Sequence, residues 1–560
     1  MPLMINVVLA WHMHQPEYRN LASGEYRLPW TYLHAIKDYV DMAAHLERYD
    51  DARAVVNFAP ILLEQLEDYA SRIRESQENG RDIPDRLLTC LVSDDEFISD
   101  NQNRLWLIEA CLKVNVERLV KRYPAFKDLV RIAEHLTPGG IDYLYRQFFI
   151  DLVVWYHLAW MGETVKRDNP VVQRLIEKAR DFSAQDRQDL LTVIGDIIAG
   201  IIPRYRALSD QGKIELSMSP FAHPMLPLLI DFESAREAIP DAPLPTATEY
   251  PDGVARCHWH IEQGLQVFER CFGRKPQGCW PSEGGVSDPA VRMLDDYGFK
   301  WLATGKNVLS HSLSKQPDDW DVEHLAFHLE GSETQLFFRD DGLSDLVGFS
   351  YSDWHADDAV GDLIQHIHNI HERCDNPQQH VVSIVLDGEN AWEHYPENGY
   401  YFLDALYQRL SSDEAINLTT FDQFLSHSDR SMQLNHLVAG SWVYGSFSTW
   451  IGDTAKNRAW DLLCQAKTDL DDWLNTHSAH ADRNEILKQL AICEGSDWFW
   501  WFGDYNPSSS VRDFDELYRL NLKNLYRLAA LDPPDALDVP LSSGSSDSTA
   551  EGGGTMRRGG

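Results

Sequence analysis

Short apolar runs that end in polar or charged residues recur along the chain, and helical patterns separate them. Six runs of this kind lie at residues 5–15, 52–60, 212–223, 299–307, 334–341 and 380–390. Helical periodicity occurs between them, for instance at 289–298 and 357–374. Strands that alternate with helices predict βα units around a parallel sheet. Because the loops at the strand C-termini build the active site of a βα barrel, the polar residues after each run are the first candidates for function.

Two long stretches have helical patterns only. Residues from about 80 to 210 contain no strand-like run, and helices dominate again from about 431. We therefore predict a catalytic barrel over 1–430 with a helical insertion at about 80–210. A C-terminal helical domain that contributes to the cleft is predicted over 431–531. The end of the chain is rich in Gly and Ser, which predicts a disordered tail over 532–560.

Composition and charge narrow the classes of partner. The chain has 560 residues, 44% of them hydrophobic, and a net charge of −37. Such an acidic protein repels phosphate backbones and anionic membranes, so we expect no nucleic-acid and no membrane partner. The 18 Trp offer flat apolar faces that suit a neutral carbohydrate substrate. The sequence leaves the oligomeric state open.

The cellular location is predicted to be the cytoplasm. The first residues have no basic segment followed by a small-residue cleavage site, so we do not expect a signal peptide. No apolar run reaches the roughly 18 residues that a membrane span needs. The eight Cys are scattered without a CxxC pair, which favours reduced thiols over a disulfide framework.

The first polar cluster is HMHQP, which directly follows the first apolar run and contains His12, His14 and Gln15. Three interpretations are open for the histidines: metal ligands, hydrogen-bonding groups for a polar ligand, or a pair buried near the core. An HxH pattern after a first strand occurs in metal sites. No further His–Asp partner set stands out in the sequence, so we predict no metal and no other cofactor.

Two carboxylates carry the strongest chemical signal. Glu283 lies in the loop GCWPSEGG, where glycines allow close backbone approach to a ligand. Asp387 ends the apolar run VVSIVLD, and such a strand-end Asp projects into the mouth of a βα barrel. The alternatives are a structural loop Glu and an Asp–Gly turn that caps a helix. Two carboxylates beside Trp residues suggest glycoside hydrolysis, in which one group attacks the sugar and the other transfers the proton.

The sequence resembles glycoside hydrolase family 57, a group of α-glucan-active enzymes. Five ordered stretches carry the resemblance: HMHQP (12–16), GKIELSMSPFAHPMLPLL (212–229), GCWPSEGGVS (278–287), LDGENAWEHY (386–395) and GSWVYGSFSTWIGD (440–453). The closest members in character are the α-amylases and amylopullulanases. The resemblance implies an α/β fold, an incomplete (β/α)7 barrel with helical additions, and a retaining mechanism.

Residue roles follow from the resemblance by position. Glu283 matches the nucleophile and Asp387 the general acid/base. Substrate-binding roles are implied or predicted for His12, His14, Gln15, Glu215, Trp280, Arg339, Glu389, Trp392, Trp442, Trp450 and Asp453.

Some of these roles have open alternatives. Arg339 either orients Glu283 and keeps it ionised, or forms a structural ion pair with Asp345. For the three Trp of the segment 494–506, a packing seam between domains is favoured over a place in the cleft.

The predicted function is therefore retaining cleavage of α-glucosidic bonds in starch, glycogen or maltodextrin. A 4-α-glucanotransferase or a glycogen branching enzyme uses the same covalent intermediate and remains an alternative. From another class, a metal-dependent carbohydrate deacetylase that uses His12 and His14 also remains open.

Overall fold

The computed structural model describes residues 3–93, 100–137, 139–313, 320–477 and 482–544. Within them the strands β1 to β12 are, in chain order, Ile5–Met13, Arg19–Asn20, Glu25–Tyr26, Ala54–Phe58, Ile214–Met218, Gly278–Cys279, Trp301–Gly305, Ala326–Leu329, Gln335–Arg339, Val381–Asp387, Ile416–Thr419 and Ser431–Leu434.

Seven parallel strands form a closed barrel. Their order is β10-β1-β4-β5-β6-β7-β9, and β9 pairs with β10 to close the ring, with Arg339 opposite Ser383. The predicted seven-stranded α/β barrel with helical additions is confirmed. Three strands extend the sheet: β8 runs antiparallel to β9, β12 pairs with β8, and β11 pairs with the first half of β1. Strands β2 and β3 form a separate two-stranded ribbon.

The barrel strands are apolar on both faces because helices cover the outside and side chains fill the inside. All nine residues of β1 are buried, which explains why its sequence reads as a continuous apolar run rather than an alternating one. The strand C-termini meet at one end of the barrel, so β1, β6, β9 and β10 bring His12, Glu283, Arg339 and Asp387 to the same region.

The α-helices surround the barrel and fill the long connections between strands. In the described residues they are Trp30–His34, Val40–Arg48, Pro60–Asn79, Arg86–Val92, Asn101–Leu112, Pro124–Glu134, Arg146–Trp160, Glu163–Asp168, Pro170–Lys178, Ala184–Asp210, Leu226–Ile230, Ala235–Ala238, Gly253–Phe272, Asp288–Asp296, Lys306–Leu313, Trp320–Glu323, Asp341–Asp345, Ala356–Arg373, Tyr400–Ser412, Phe421–Leu425, Thr454–Thr476, Arg483–Cys493, Ser496–Trp501 and Ser508–Leu528. In the described parts of the chain, no helix is both long enough and apolar enough to cross a membrane.

Two boundaries differ in detail from the sequence-based ones. Strand β12 still belongs to the barrel sheet although it begins at Ser431, and the long C-terminal helices begin only at Thr454. Residues 532–544 belong to the predicted disordered tail, but Leu537 and Leu541 are buried there. Large apolar side chains such as these two leucines can pack against the rest of the protein. The Gly- and Ser-rich sequence that follows them contains no leucine. The rest of that predicted tail, 545–560, lies outside the described residues, and the division into domains stays a prediction.

Candidate active site

A cavity lies at the C-terminal end of the barrel. Several of the predicted residues line it: His12, His14, Gln15, Glu283, Arg339, Asp387, Glu389 and Trp442. The barrel supplies seven of them from its strand ends and the loops that follow, while Trp442 comes from the segment after β12. Five predicted residues are not part of its lining: Glu215, Trp280, Trp392, Trp450 and Asp453.

Glu283 is held in a strained turn directly after β6. Its φ of 59° is left-handed, a conformation that costs free energy for a non-glycine residue and recurs at active sites. The next residue, Gly284, has a φ of 58°, and a Cβ there would lie 3.2 Å from the Trp280 ring and 3.3 Å from Trp442. Two groups donate hydrogen bonds to the carboxylate: Ser496 Oγ to Oε1 at 3.0 Å and Trp442 Nε1 to Oε2 at 3.3 Å. These donors favour the ionised form that a nucleophile needs.

Asp387 is the last residue of β10 and faces the same cavity. Asn390 Nδ2 donates a hydrogen bond of 2.8 Å to Asp387 Oδ2. The structural alternative for Asp387 was an Asp–Gly turn that caps a helix. The structure does not show this role, because the Asp387 side chain bonds to Asn390 and the next short helix begins after Asn390. The other Asp387 oxygen, Oδ1, has no protein donor within the described residues.

Burial raises the pKa of both carboxyls. The pKa of Glu283 rises to about 8, first because of burial and then because of the nearby charges of Asp497 and Asp387. The pKa of Asp387 rises to about 6, again first through burial; the Asn390 hydrogen bond and the charges of His14 and Arg339 oppose the rise. Between these values the two carboxyls together hold one proton, and the higher pKa of Glu283 places it on Glu283 in the protein without substrate. Double displacement requires an ionised Glu283 and a protonated Asp387, so it starts from the less populated of the two one-proton states.

Three imidazoles stack at the floor of the cavity. The ring centroids of His14 and His223 are 3.9 Å apart, and those of His12 and His223 are 5.0 Å apart. Burial and the neighbouring His14 lower the pKa of His12 to about 3 and hold the pKa of His223 well below its usual value. Both rings are therefore neutral. His12 Nδ1 donates to Asn57 Oδ1 at 2.7 Å, which leaves its buried Nε2 as an acceptor without a partner among the described residues.

His14 pairs with an acidic residue from the C-terminal helices. Its Nε2 lies 2.8 Å from Asp497 Oδ1 and 3.0 Å from Oδ2. The sequence suggested no His–Asp partner set, and this is corrected: the partners are His223, from the loop after β5, and Asp497, far along the chain. Ligand-type atoms of His14, His223 and Asp497 lie within 4.8 Å of one another.

The geometry of this cluster suits hydrogen bonding better than metal coordination. The rings of His14 and His223 are stacked and inclined by only 24°, so their lone pairs lie in two nearly parallel planes and do not converge on one point between the rings. A zinc ion held by two histidines needs converging lone pairs. A second cluster of possible ligands, Glu323, His324 and Asp340, lies elsewhere in the described chain. The deacetylase alternative, which needs a metal at His12 and His14, gains no support from this arrangement.

Gln15 and Glu389 form a connected pair beside the histidines. Gln15 Nε2 donates to Glu389 Oε1 at 3.1 Å, and the backbone N–H of His14 donates to the same oxygen at 3.3 Å. Burial, and then the charge of Asp387, raises the pKa of Glu389 well above its usual value. Its other oxygen, Oε2, is buried without a partner among the described residues. This oxygen is therefore available for a hydrogen bond with a sugar hydroxyl.

Arg339 is an ion-paired residue that acts on Asp387 rather than on Glu283. Its Nη1 lies 2.6 Å from Asp341 Oδ1, its Nη2 lies 2.8 Å from Asp345 Oδ1, and its Nε donates to the Val385 carbonyl at 2.9 Å. This pattern matches the structural alternative and corrects the suggestion that Arg339 orients the nucleophile. Its charge lowers the pKa of Asp387.

Three of the predicted substrate-binding Trp residues are packing residues instead. Trp450 is completely buried, and Trp392 is 1% exposed and donates its Nε1 to the Gly388 carbonyl at 2.9 Å. Trp280 is 3% exposed and contacts the Trp442 ring edge-on at a centroid distance of 5.2 Å. A ring without a free face cannot stack on a sugar. Of the four predicted Trp, only Trp442 lines the cavity.

Glu215 and Asp453 also have structural roles. Glu215 lies near the start of β5, away from the strand C-termini, where Trp301 Nε1 donates to it at 2.6 Å and the backbone N–H of Asp422 at 2.9 Å. Asp453 caps the helix Thr454–Thr476 by accepting a 2.8 Å hydrogen bond from the backbone N–H of Ala455. Both predicted substrate contacts are corrected by these positions.

The sequence missed the contribution of the C-terminal helices. Asp497 and Ser496 reach the catalytic carboxylates from the helix Ser496–Trp501. Trp500 and Trp501 line the cavity although packing was favoured for them, whereas Trp498 is buried as expected. The adjacent acidic and aromatic residues of 494–506 are typical of a sugar-binding segment. Because this segment lies far from the barrel strands in sequence, the sequence does not predict that it reaches the cavity.

Comparison with known proteins identifies the family. The family model "Glycosyl hydrolase family 57" matches residues 8–435. The chain belongs to glycosyl hydrolase family 57. The matched range covers the barrel and four of the five family-like motifs, and ends before the fifth at 440–453. No curated protein matches the chain in sequence.

Several solved structures share the fold. A branching enzyme of family 57 type from the hyperthermophilic archaeon Pyrococcus horikoshii aligns with a TM-score of 0.56 at 16% identity, over 95% of this chain and 93% of that one. The α-amylase AmyC from Thermotoga maritima aligns with a TM-score of 0.56 at 14% identity, over 94% of each chain. The 4-α-glucanotransferase from Thermococcus litoralis aligns with a TM-score of 0.51 at 14% identity, over 94% of this chain and 60% of that one. At these identities the similarity establishes the fold alone.

Proposed function

We propose that this protein cleaves α-glucosidic bonds in starch, glycogen or maltodextrin through a covalent glycosyl-enzyme intermediate. The observation that carries the proposal is that Glu283 and Asp387, from two different strand ends of a family 57 barrel, line the same cavity. The structural neighbours named as branching enzyme, amylase and glucanotransferase support an α-glucan substrate. A neutral glucan also suits a chain with a net charge of −37.

The first half of the reaction forms the intermediate. A carboxylate oxygen of Glu283 attacks the anomeric carbon of the sugar, and the bond between that carbon and the glycosidic oxygen breaks. Asp387 transfers its proton to the departing oxygen, so the leaving sugar departs as a neutral alcohol. Ser496 and Trp442 keep Glu283 oriented through their hydrogen bonds to its two oxygens.

The second half releases the sugar. Asp387, now ionised, removes a proton from an incoming hydroxyl, whose oxygen attacks the anomeric carbon and displaces Glu283. An incoming water gives hydrolysis, while the hydroxyl of another glucan gives transfer or branching. Access of water to the intermediate decides between these outcomes. The α-amylase or amylopullulanase reaction is the proposed outcome. Transfer is the second candidate because Trp442, Trp500 and Trp501 line the cavity, and such apolar rings favour a sugar over water as the incoming group.

The polar groups around the carboxylates form the binding site for the reacting sugar. His12 Nε2 offers an acceptor, and Glu389 Oε2 and His14 Nδ1 add two more buried polar atoms without partners among the described residues. Buried polar groups are stable only when they are hydrogen-bonded. Sugar hydroxyls, which both donate and accept, would satisfy these atoms.

Product analysis after incubation with maltoheptaose and with pullulan tests the proposal. Shorter sugars alone mean hydrolysis, longer ones mean transfer, and release of maltotriose from pullulan means cleavage of α-1,6 bonds. The Glu283→Gln variant should lose nearly all turnover while it still binds glucan. Full turnover in that variant would refute the proposal, and azide rescue of Glu283→Ala or Asp387→Ala would assign the two roles.

The cytoplasm remains the proposed location. No disulfide links the eight cysteines, all of which lie in the described residues, and seven of them are buried. A chain whose cysteines form no disulfide fits a reducing compartment.

A further inference from the structure

Tyr444 directly follows two residues that line the cavity. Trp442 and Val443 belong to the cavity wall, and the next residue, Tyr444, is 46% exposed. Its ring makes no aromatic or cation–π contact and its hydroxyl no hydrogen bond with any other described residue. A large aromatic side chain next to the cavity wall is thus about half exposed and has no hydrogen bond or ring contact with another described residue.

The backbone of Tyr444 is strained as well. Its φ of 58° lies in the left-handed region, which glycine and asparagine adopt readily and bulky residues rarely do. A tyrosine at such a position persists only if the surrounding contacts hold the turn, and strain of this kind concentrates at ligand-binding sites.

The turn around Tyr444 is held from several sides. Ser441 Oγ donates to the Ser446 carbonyl at 2.8 Å, and a Cβ on Gly445 would lie 2.6 Å from Asn307 Cβ. Upstream, the backbone N–H of Trp442 donates to the Glu283 carbonyl at 3.2 Å. The position of the Tyr444 ring is therefore linked through a short, well-anchored segment to the nucleophile.

We propose that the Tyr444 ring is a rim subsite that stacks on one glucose unit of an α-glucan chain where the chain leaves the cavity. This inference rests on the proposed function and adds a determinant of chain length to it. The apolar face of a pyranose ring fits a free aromatic face, and a neutral sugar is not repelled by the acidic surface. Short sugars that fill only the cavity do not reach this ring, whereas longer ones do.

The test compares substrates of two lengths in variants that keep the turn unstrained. Tyr444→Asn and Tyr444→Gly remove the ring with residues that tolerate a positive φ, and Tyr444→Phe keeps the ring. The matched control is Tyr143→Asn, which removes a tyrosine that is 85% exposed in the predicted helical insertion. The quantity measured is kcat/KM for maltoheptaose divided by kcat/KM for maltotriose. Melting temperatures equal to or above that of the wild type are expected for Tyr444→Gly, because glycine relieves the strain.

The ratio should fall by about fivefold or more in Tyr444→Asn and Tyr444→Gly, through KM for maltoheptaose, since stacked aromatic contacts contribute on this scale. It should stay near the wild-type value in Tyr444→Phe and Tyr143→Asn. An unchanged ratio in the Asn and Gly variants would overturn the proposal, and so would an equal loss in Tyr444→Phe or in the control.

Binding without turnover separates this proposal from the proposed function. Calorimetric titration of Glu283→Gln with maltoheptaose, with and without Tyr444→Asn, should give a Kd about fivefold weaker in the double variant. Wild-type protein that binds maltoheptaose but never cleaves it would refute the proposed function, while the loss of affinity would still support the rim subsite. Equal affinity in the two proteins would refute the rim subsite whatever the reaction.

Discussion

Replacement of Glu283 by Gln should stabilise the folded protein at alkaline pH, and the size of the effect follows from the burial of this carboxyl. Burial and nearby acidic charges raise its pKa from 4.5 to about 8. The folded protein therefore keeps the proton in a pH range where the unfolded chain has released it. The contribution of this group to the stability of the wild type is fully present below pH 4.5 and is lost as the pH rises toward 8, by about 1.4 kcal/mol per pH unit. A neutral Gln has no such loss.

The magnitude can be worked out from the two pKa values. Across the interval from 4.5 to about 8, the ionised Glu283 costs the wild type on the order of 5 kcal/mol, an upper bound because Glu283 is still 9% exposed. The amide of Gln fits the same contacts: its oxygen accepts from Trp442 Nε1, and its NH₂ donates to Ser496 Oγ. Ser496 can then donate its own proton to His223 Nδ1, which lies 2.9 Å away. No hydrogen-bonding group is left unpaired by the substitution.

Urea unfolding of both proteins at pH 5, 6.5 and 8 measures this effect. The two free energies of unfolding should be close at pH 5, and the variant should gain by a few kcal/mol at pH 8. The Glu393→Gln variant, at a less buried glutamate that also lines the cavity, is the matched control for removal of a carboxylate from this cavity. The free energy of unfolding of Glu283→Gln minus that of the wild type should therefore grow with pH. If it does not, the assigned burial cost and the electrostatic account of the carboxylate pair are refuted.

Three further predictions follow from the site. The pH profile of kcat/KM should be bell-shaped, because the pair of Glu283 and Asp387 must hold one proton; activity should fall below about pH 6 and above about pH 8, and a flat profile from pH 5 to 9 would contradict this. Arg339→Met should move the acidic limb of this profile to higher pH, because the charge that lowers the pKa of Asp387 is lost. The same variant should destabilise the fold by about 3–5 kcal/mol, because the acidic partners of Arg339 stay buried without their cation. An acidic limb at the wild-type pH would argue against this coupling. Trp450→Ala should cost about 3–5 kcal/mol in urea unfolding as a core cavity, whereas Trp442→Ala should lower kcat chiefly; the reverse pattern would restore Trp450 as a sugar-stacking residue.

The barrel was predictable because its strands are buried on both faces. Runs such as Val381–Asp387 have no polar face, and their polar C-terminal residues mark the end of the barrel that holds the cavity. Glu215 shows the limit of this reasoning: it also lies in an apolar run, but near the start of its strand, so it points to the opposite end. The sequence pattern predicts that a strand forms. Which end of the barrel a given residue of that strand lies near depends on how the strand pairs with its neighbours.

Burial of individual aromatic residues was not predictable. Trp442 and Trp450 lie in the same motif, yet one contacts the nucleophile and the other is completely enclosed. Their difference depends on the left-handed turn between them and on the packing of Trp450 against Trp500. Asp497 was missed for a related reason, since only the folded C-terminal helices bring it to His14. Contacts between distant segments are set by packing and leave little trace in local periodicity.

Trapping of the glycosyl-enzyme tests the central claim most directly. A fluorinated α-glucosyl donor that slows release of the intermediate, followed by peptide mass spectrometry, should locate one glucosyl group on the peptide that contains Glu283, and Glu283→Gln should abolish the label. A label on any other residue, or products formed with inverted anomeric configuration and no trapped species, would contradict a double displacement at Glu283 and Asp387.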